Sequence, residues 1–202
     1  MEKMKNINTM KKTFILLTSI IMFLGCSLDA NNPNNLLEEQ LGVSAFTPMV
    51  NGLEGVTVRA YGNILAPYST ASDEMIWVGS RNAWGQLNFG NVDNINNEFV
   101  DAAFFFVAAA RYWSDDVIAR GEEFSTTNAF SDANRTDLAR AYWYGAINYI
   151  VIADMFDDFV VGSAKTEAAP PVGPANMGSL YDTAIGYLNK AIALNAGLTS
   201  AL

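Results

Sequence analysis

Apolar positions in this chain fall into stretches of helical spacing, separated by segments rich in Gly, Asn and Pro. From Asn97 to about Glu123, residues Phe99, Ala102, Ala103, Phe106, Ala110, Trp113 and Val117 recur at steps of three and four. That is one face of an amphipathic helix. Arg111 and Asp115 stand one turn apart, which places an ion pair on the wet side of that helix. A second helix is predicted from about Asn134 to Asp157, with Leu138, Ala141, Tyr142, Gly145, Ala146, Tyr149 and Ala153 on one stripe. The small pair Gly145 and Ala146 leaves room for another helix to approach. A third helix is predicted over Ser179 to Asn195, using Tyr181, Ala184, Ile185, Leu188, Ala191 and Ile192. A weaker pattern of Val50, Leu53, Val56 and Val58, interrupted by Gly52 and Gly55, predicts a helix around Thr47 to Gly62.

The stretches between these helices carry as much information. From Ala66 to Asn97 the periodicity disappears and Gly, Asn and aromatic residues dominate. A loop of that length is uncommon in a compact domain unless it forms a binding surface or has short structure of its own. Ser125 to Asn128 breaks the chain between the first two strong helices. Val161 to Met177 holds Pro170, Pro171 and Pro174 with glycines nearby, which forbids a helix and predicts an excursion or loop. The fold class expected is all-α, a helical bundle with long irregular loops.

The N-terminus follows a different rule. Behind Lys11 and Lys12, the run Thr13 to Gly25 is apolar and ends at Cys26, the chain's single cysteine. Basic start, short apolar stretch, small residue and cysteine describe an export signal, and Leu24-Gly25-Cys26 looks like a bacterial lipobox. Cys26 would then be the lipidated first residue of the mature chain, and residues 1–25 a lipoprotein signal peptide. An uncleaved membrane helix fits less well, because roughly 12 apolar residues fall short of the ~20 a bilayer requires. Phe23 occupies a place where lipoboxes carry an aliphatic residue. A buried structural thiol is the alternative for Cys26, and Met10 is an alternative start. Residues 26–35, from Cys26 through Asn-Asn-Pro-Asn-Asn, read as a polar tether, and residues 36–202 as the folded domain. With one cysteine no internal disulfide can form, so such a domain depends on its apolar core.

Composition narrows the function. Removing residues 1–25 takes four lysines and one glutamate from 12 basic and 21 acidic residues, leaving a net charge of −12. That excludes a nucleic-acid partner bound through its phosphates. The acidity suits cation or sugar contact, although solubility on a crowded surface explains it more simply. Histidine is absent, so triads with a His base and imidazole metal sites are excluded.

The long loop concentrates the candidate chemistry. Trp77, Arg81, Asn82 and Trp84 lie close together, flanked by Asp73, Glu74, Gln86 and Asn88. Sugar rings present flat apolar faces edged by hydroxyls, so a site for them pairs an aromatic plane with amide, guanidinium or carboxylate partners. The plainer reading is that the tryptophans plug the loop onto the helices. The adjacent carboxylates Asp73 and Glu74, Asp115 and Asp116, and Asp157 and Asp158 invite comparison with glycoside hydrolases. Sequence neighbours on a helix point apart, so solvated helix faces account for them better. Asp154, Asp157 and Asp158 lack the spaced acidic loop and turning glycine of a Ca2+ site. The expectation is a non-enzymatic protein without a cofactor or metal.

Tyr142, Gly145, Ala146 and Tyr149 fit the first-helix pattern of a tetratricopeptide repeat, and Ala184, Leu188 and Ala191 fit its second. The Pro-rich excursion is inserted at the turn between them. This arrangement resembles the SusD/RagB family of outer-membrane nutrient-binding lipoproteins. The matching segments are Leu28-Asp29 with Asn32-Pro33-Asn34, Ser72-Asp73-Glu74, Ala110 to Ile118, and above all Leu138 to Phe156. The resemblance implies a tetratricopeptide-like helical platform on the outer membrane, lipid-anchored and facing the cell surface. It implies capture of a glycan or related nutrient for a partner TonB-dependent transporter, with Trp77, Trp84 and Asn82 as contacts carried over and Arg81 and Asp73 beside them. Family members are usually more than twice this length, so the chain is expected to correspond to the N-terminal portion of such a protein, as either a fragment or a short variant. The competing reading is a tetratricopeptide-type adaptor lipoprotein that binds another protein.

Overall fold

The computed structural model describes residues 41–94, 96–162 and 169–196. The leader, Cys26 and the Asn-Pro segment lie outside the described residues. The described chain is all-α, with helices α1 (Phe46–Ala71), α2 (Asn82–Asn88), α3 (Glu98–Phe124), α4 (Asp132–Met155) and α5 (Ser179–Ala196). Two of them begin with side-chain caps. Asn97 Oδ1 accepts from the Phe99 and Val100 amides at the start of α3, and Ser131 forms a capping box with Asn134 at the start of α4. Such caps satisfy donors that no turn of the helix can reach. The excursion after α4 holds a single β-bridge, Val160 to Pro171, and a short 3-10 turn, Pro174–Asn176.

Helix α1 extends nine residues beyond Gly62, the end expected from the sequence, and passes through Pro67. A proline inside a helix removes a hydrogen bond and costs about 3 kcal/mol. Burial of Ala60, Ile64, Ser69 and Thr70 offsets that loss, and the Thr70 hydroxyl bonds the Ala66 carbonyl at 2.9 Å. Tertiary packing here overrides the local signal.

The core is divided in two along the bundle. One cluster gathers Phe46, Val50, Leu53, Val117, Ile118, Leu138 and Tyr142. The other gathers Ala60, Ile64, Val107, Ala146, Ile152, Phe159 and Ala184. Close helix approach depends on two glycines. A Cβ on Gly121 would lie 2.5 Å from Phe46 Cζ, and one on Gly145 would lie 2.8 Å from Ile118 Cδ1 and about 3 Å from the Tyr187 ring. Gly145 thus does what its place in the small-residue stripe predicts, seating α4 against α3 and α5. On α5 the buried line is Leu180, Ala184 and Ala191, while Tyr181, Ile185 and Ile192 face outward. The single apolar face expected for this helix is therefore split, with half of it left exposed.

The clearest departure from expectation is Arg111. It pairs with Asp115 as the spacing predicts, at 3.0 Å, yet the pair is not on the wet side. Arg111 is 5% exposed. The buried line of α3 runs Ala103, Val107, Ala110, Ser114, Val117 and Gly121, which turns Arg111 inward and Trp113 outward. Inside, Arg111 Nη2 donates to the Gly162 carbonyl at 2.8 Å. Asp115 also accepts from the Tyr149 and Tyr187 hydroxyls, each at 2.9 Å. One carboxylate and one guanidinium thereby join α3, α4, α5 and the start of the excursion. Asn148 adds a second buried tie, donating to Thr57 and Ser114. Near the other end of the bundle Glu122 accepts from Tyr142 and Lys190.

Removing one partner of a buried pair leaves an uncompensated charge, whereas removing both need not. Arg111→Met is expected to lower unfolding free energy by about 3 kcal/mol in urea titrations, and Arg111→Met with Asp115→Leu to recover it only when Tyr149→Phe and Tyr187→Phe also remove the hydroxyls that donate to Asp115. Burial, followed by the Asp115 charge, raises the Tyr149 and Tyr187 hydroxyls well above the usual phenol pKa. The folded chain thus holds these protons more tightly than the unfolded chain. The resulting stability is complete below about pH 10, where free tyrosine titrates, and declines as pH rises further. Melting temperatures measured from pH 8 to 12 are expected to fall above pH 10, less steeply in Tyr187→Phe.

Candidate ligand-binding site

The segment between α1 and α3 is folded, with α2 as its centre. An aromatic ladder fixes it to the bundle. Trp77 stacks on Trp84 at 5.6 Å between centroids, Trp84 lies against Phe99 at 4.2 Å, and the Arg81 guanidinium sits 4.9 Å over the Phe99 ring. Phe99 belongs to the first turn of α3, so the ladder ties the loop to a rigid helix. The Trp77 amide donates to Asn88 Oδ1 at 2.9 Å, tying the segment before α2 to the last residue of that helix. Gly79 is required beneath it, since a Cβ there would lie 2.2 Å from Trp77 Cζ2. Buried Asn97 donates to the Ala83 carbonyl and to Gln86 Oε1, which holds α2 over the start of α3.

This geometry distributes the five predicted residues unevenly. Both faces of Trp84 are covered, by Trp77 and Phe99. Trp77 has its indole nitrogen buried without a partner among the described residues, a penalty of about 1–3 kcal/mol that makes it the least securely held rung. Arg81 is engaged with Glu98 through two bonds, at 2.8 and 2.6 Å, which raise its pKa. Asn82 opens α2 and is exposed, and Asp73 is exposed in a left-handed turn with φ of 62°. The structure therefore joins Trp77, Trp84 and Arg81 in one stack and leaves Asn82 and Asp73 to solvent.

Phe99, Asn88 and Gly79 complete the assembly, and residue type alone did not mark them. The signal available was the placement of Phe99 directly after the Asn97 cap. Around the loop, Met75, Ile76, Val78, Phe89 and Val92 are exposed, Val78 almost completely. Beneath it lies a cleft of about 380 Å3 whose apolar wall includes Ile64, Leu87, Val100 and Phe156, with Tyr68 and Asp157 contributing polar atoms. The acidic pairs do not converge. Glu74 accepts from Ser69, Asp154 from Tyr181, and Asp158 from the Phe159 and Gly173 amides. Among the described residues no cluster of three acidic or cysteine side chains could hold a metal ion.

No family model, curated protein or solved structure matches this chain. If the ladder is what holds the loop, Trp84→Ala should destabilise it more than Trp77→Ala. Hydrogen exchange is expected to quicken over residues 76–92 in Trp84→Ala by more than in the α4 and α5 amides, which change only with global stability. Global stability should fall by about 2 kcal/mol, less than the cost of truncating a fully buried tryptophan.

Proposed function

We propose that this protein is a non-catalytic, lipid-anchored outer-membrane protein of the SusD/RagB type. It captures a glycan or related nutrient and delivers it to a TonB-dependent transporter. The observation that carries the reading is the order of parts: a lipobox at Cys26, a polar tether, an aromatic loop fastened to a helical platform, and a tetratricopeptide-like pair with its turn opened by an insertion. The close packing of α4 on α5 through Gly145 supports the last of these. In the loop, Asn82 and Asp73 offer exposed hydrogen-bonding groups beside the aromatic stack, and Trp77 is the rung that can turn toward a sugar most cheaply. The exposed Tyr181, Ile185 and Ile192 of α5 favour a second reading, an adaptor whose open helix face receives another protein.

Glycan-array binding by the full chain separates these readings. Nutrient capture predicts binding to specific oligosaccharides, weakened about fivefold by Asn82→Ala, the effect of one hydrogen bond, and more strongly by Trp77→Ala. A folded chain that ignores every glycan and binds a helical peptide would support the adaptor.

A further inference from the structure

A second cavity lies between α3, α4 and α5, with a volume of about 440 Å3. Small-molecule sites occupy ~300–1,000 Å3, so its size admits a ligand. Its chemistry differs from that of the apolar cleft beneath the loop. Three tyrosines, Tyr112, Tyr149 and Tyr187, and two carboxylates, Asp115 and Asp116, face it, with Ala119 on α3 and Val161 on the excursion completing the wall.

The charges in this wall cancel in pairs. Asp115 is held by Arg111, and Asp116 by Arg120 through Nε at 2.8 Å. A site whose carboxylates are already neutralised favours a neutral polar ligand over a free cation. Hydrogen-bonding capacity nevertheless remains. Asp115 Oδ1 accepts from Tyr187, and a carboxylate oxygen has two lone pairs. Among the described residues the Tyr112 hydroxyl has no partner. Tyr112 and Asp116 also take no part in the network that joins the helices, so that network does not account for their position. Half-buried rings at Tyr112 and Tyr187 beside unspent acceptors and a free hydroxyl are the complement of a sugar, whose apolar faces are edged by hydroxyls.

We propose that this cavity is a subsite for one ring of a neutral, polyhydroxylated ligand, with Tyr112, Asp115 and Asp116 receiving its hydroxyls. The proposal rests on the glycan reading above but assigns contact to a different part of the molecule from the loop. On the loop, both faces of Trp84 are covered; here the polar groups are preformed.

The test uses the full chain and an array of neutral oligosaccharides, including maltose-, cellulose-, xylan- and mannan-derived series, with calorimetry on the strongest binder. Ala119→Trp fills the cavity and is expected to weaken binding at least tenfold. Tyr112→Phe removes one hydroxyl and is expected to weaken it about fivefold with an unchanged melting temperature, so it decides the matter should Ala119→Trp fail to fold. Parent-like affinity in Tyr112→Phe and in folded Ala119→Trp, with a loss in Asn82→Ala, would overturn the cavity subsite while leaving glycan capture by the loop intact. Silence of the parent chain toward every oligosaccharide would remove both.

Discussion

The structure depends on the placement of one charge pair inside the bundle. A guanidinium and a carboxylate taken from water lose several kcal/mol of hydration each, and recover it only if their remaining donors and acceptors are satisfied. Arg111 and Asp115 meet that condition by reaching every neighbour: Tyr149 on α4, Tyr187 on α5 and the Gly162 carbonyl on the excursion. The demand for these partners fixes the rotation of three helices about their axes and the point where the excursion leaves α4. Among the described residues Arg111 Nε is left without a partner, a small residual cost within that arrangement.

From this constraint the platform follows. With α3 held from below, its first turn is a firm base for Phe99, and the aromatic ladder carries that firmness out to Trp77. The loop is thus ordered by contacts to a helix end rather than by secondary structure of its own, apart from the two turns of α2. Tyr112 and Asp116, each one residue beyond the inward-facing pair, stand on the rim of a cavity without joining that network.

Much of this architecture was legible in the sequence, and the failures have identifiable causes. The long helices were located within a few residues because their apolar stripes recur at helical spacing, and Gly145 marked the α4–α5 contact correctly. The last nine residues of α1 were not legible because the weak apolar pattern does not continue past Gly62, while the burial of Ile64 and Thr70 depends on tertiary packing. Arg111 reads as solvent-facing in the sequence because a charged residue on an amphipathic helix ordinarily faces out; Gly162, its carbonyl partner, and Tyr149 and Tyr187, which bond its partner Asp115, are distant in sequence. The same spacing led to the reading of Trp113 as core, though it is exposed. In the loop the candidate residues were visible by type, but which rings would cover one another depends on Phe99 and on the turn at Gly79. The cavity beside Asp116 assembles from three helices and had no local signature.

The proposed role of this helical platform is service to a membrane transporter and not to a soluble partner. It is tested most directly by purifying the tagged, lipidated chain from the envelope of the cells that make it and identifying what remains bound after mild detergent. The account predicts one dominant partner, a TonB-dependent outer-membrane barrel, lost when Cys26→Ser keeps the chain from the membrane. A soluble protein as the stable partner, retained by the Cys26→Ser chain, would contradict it.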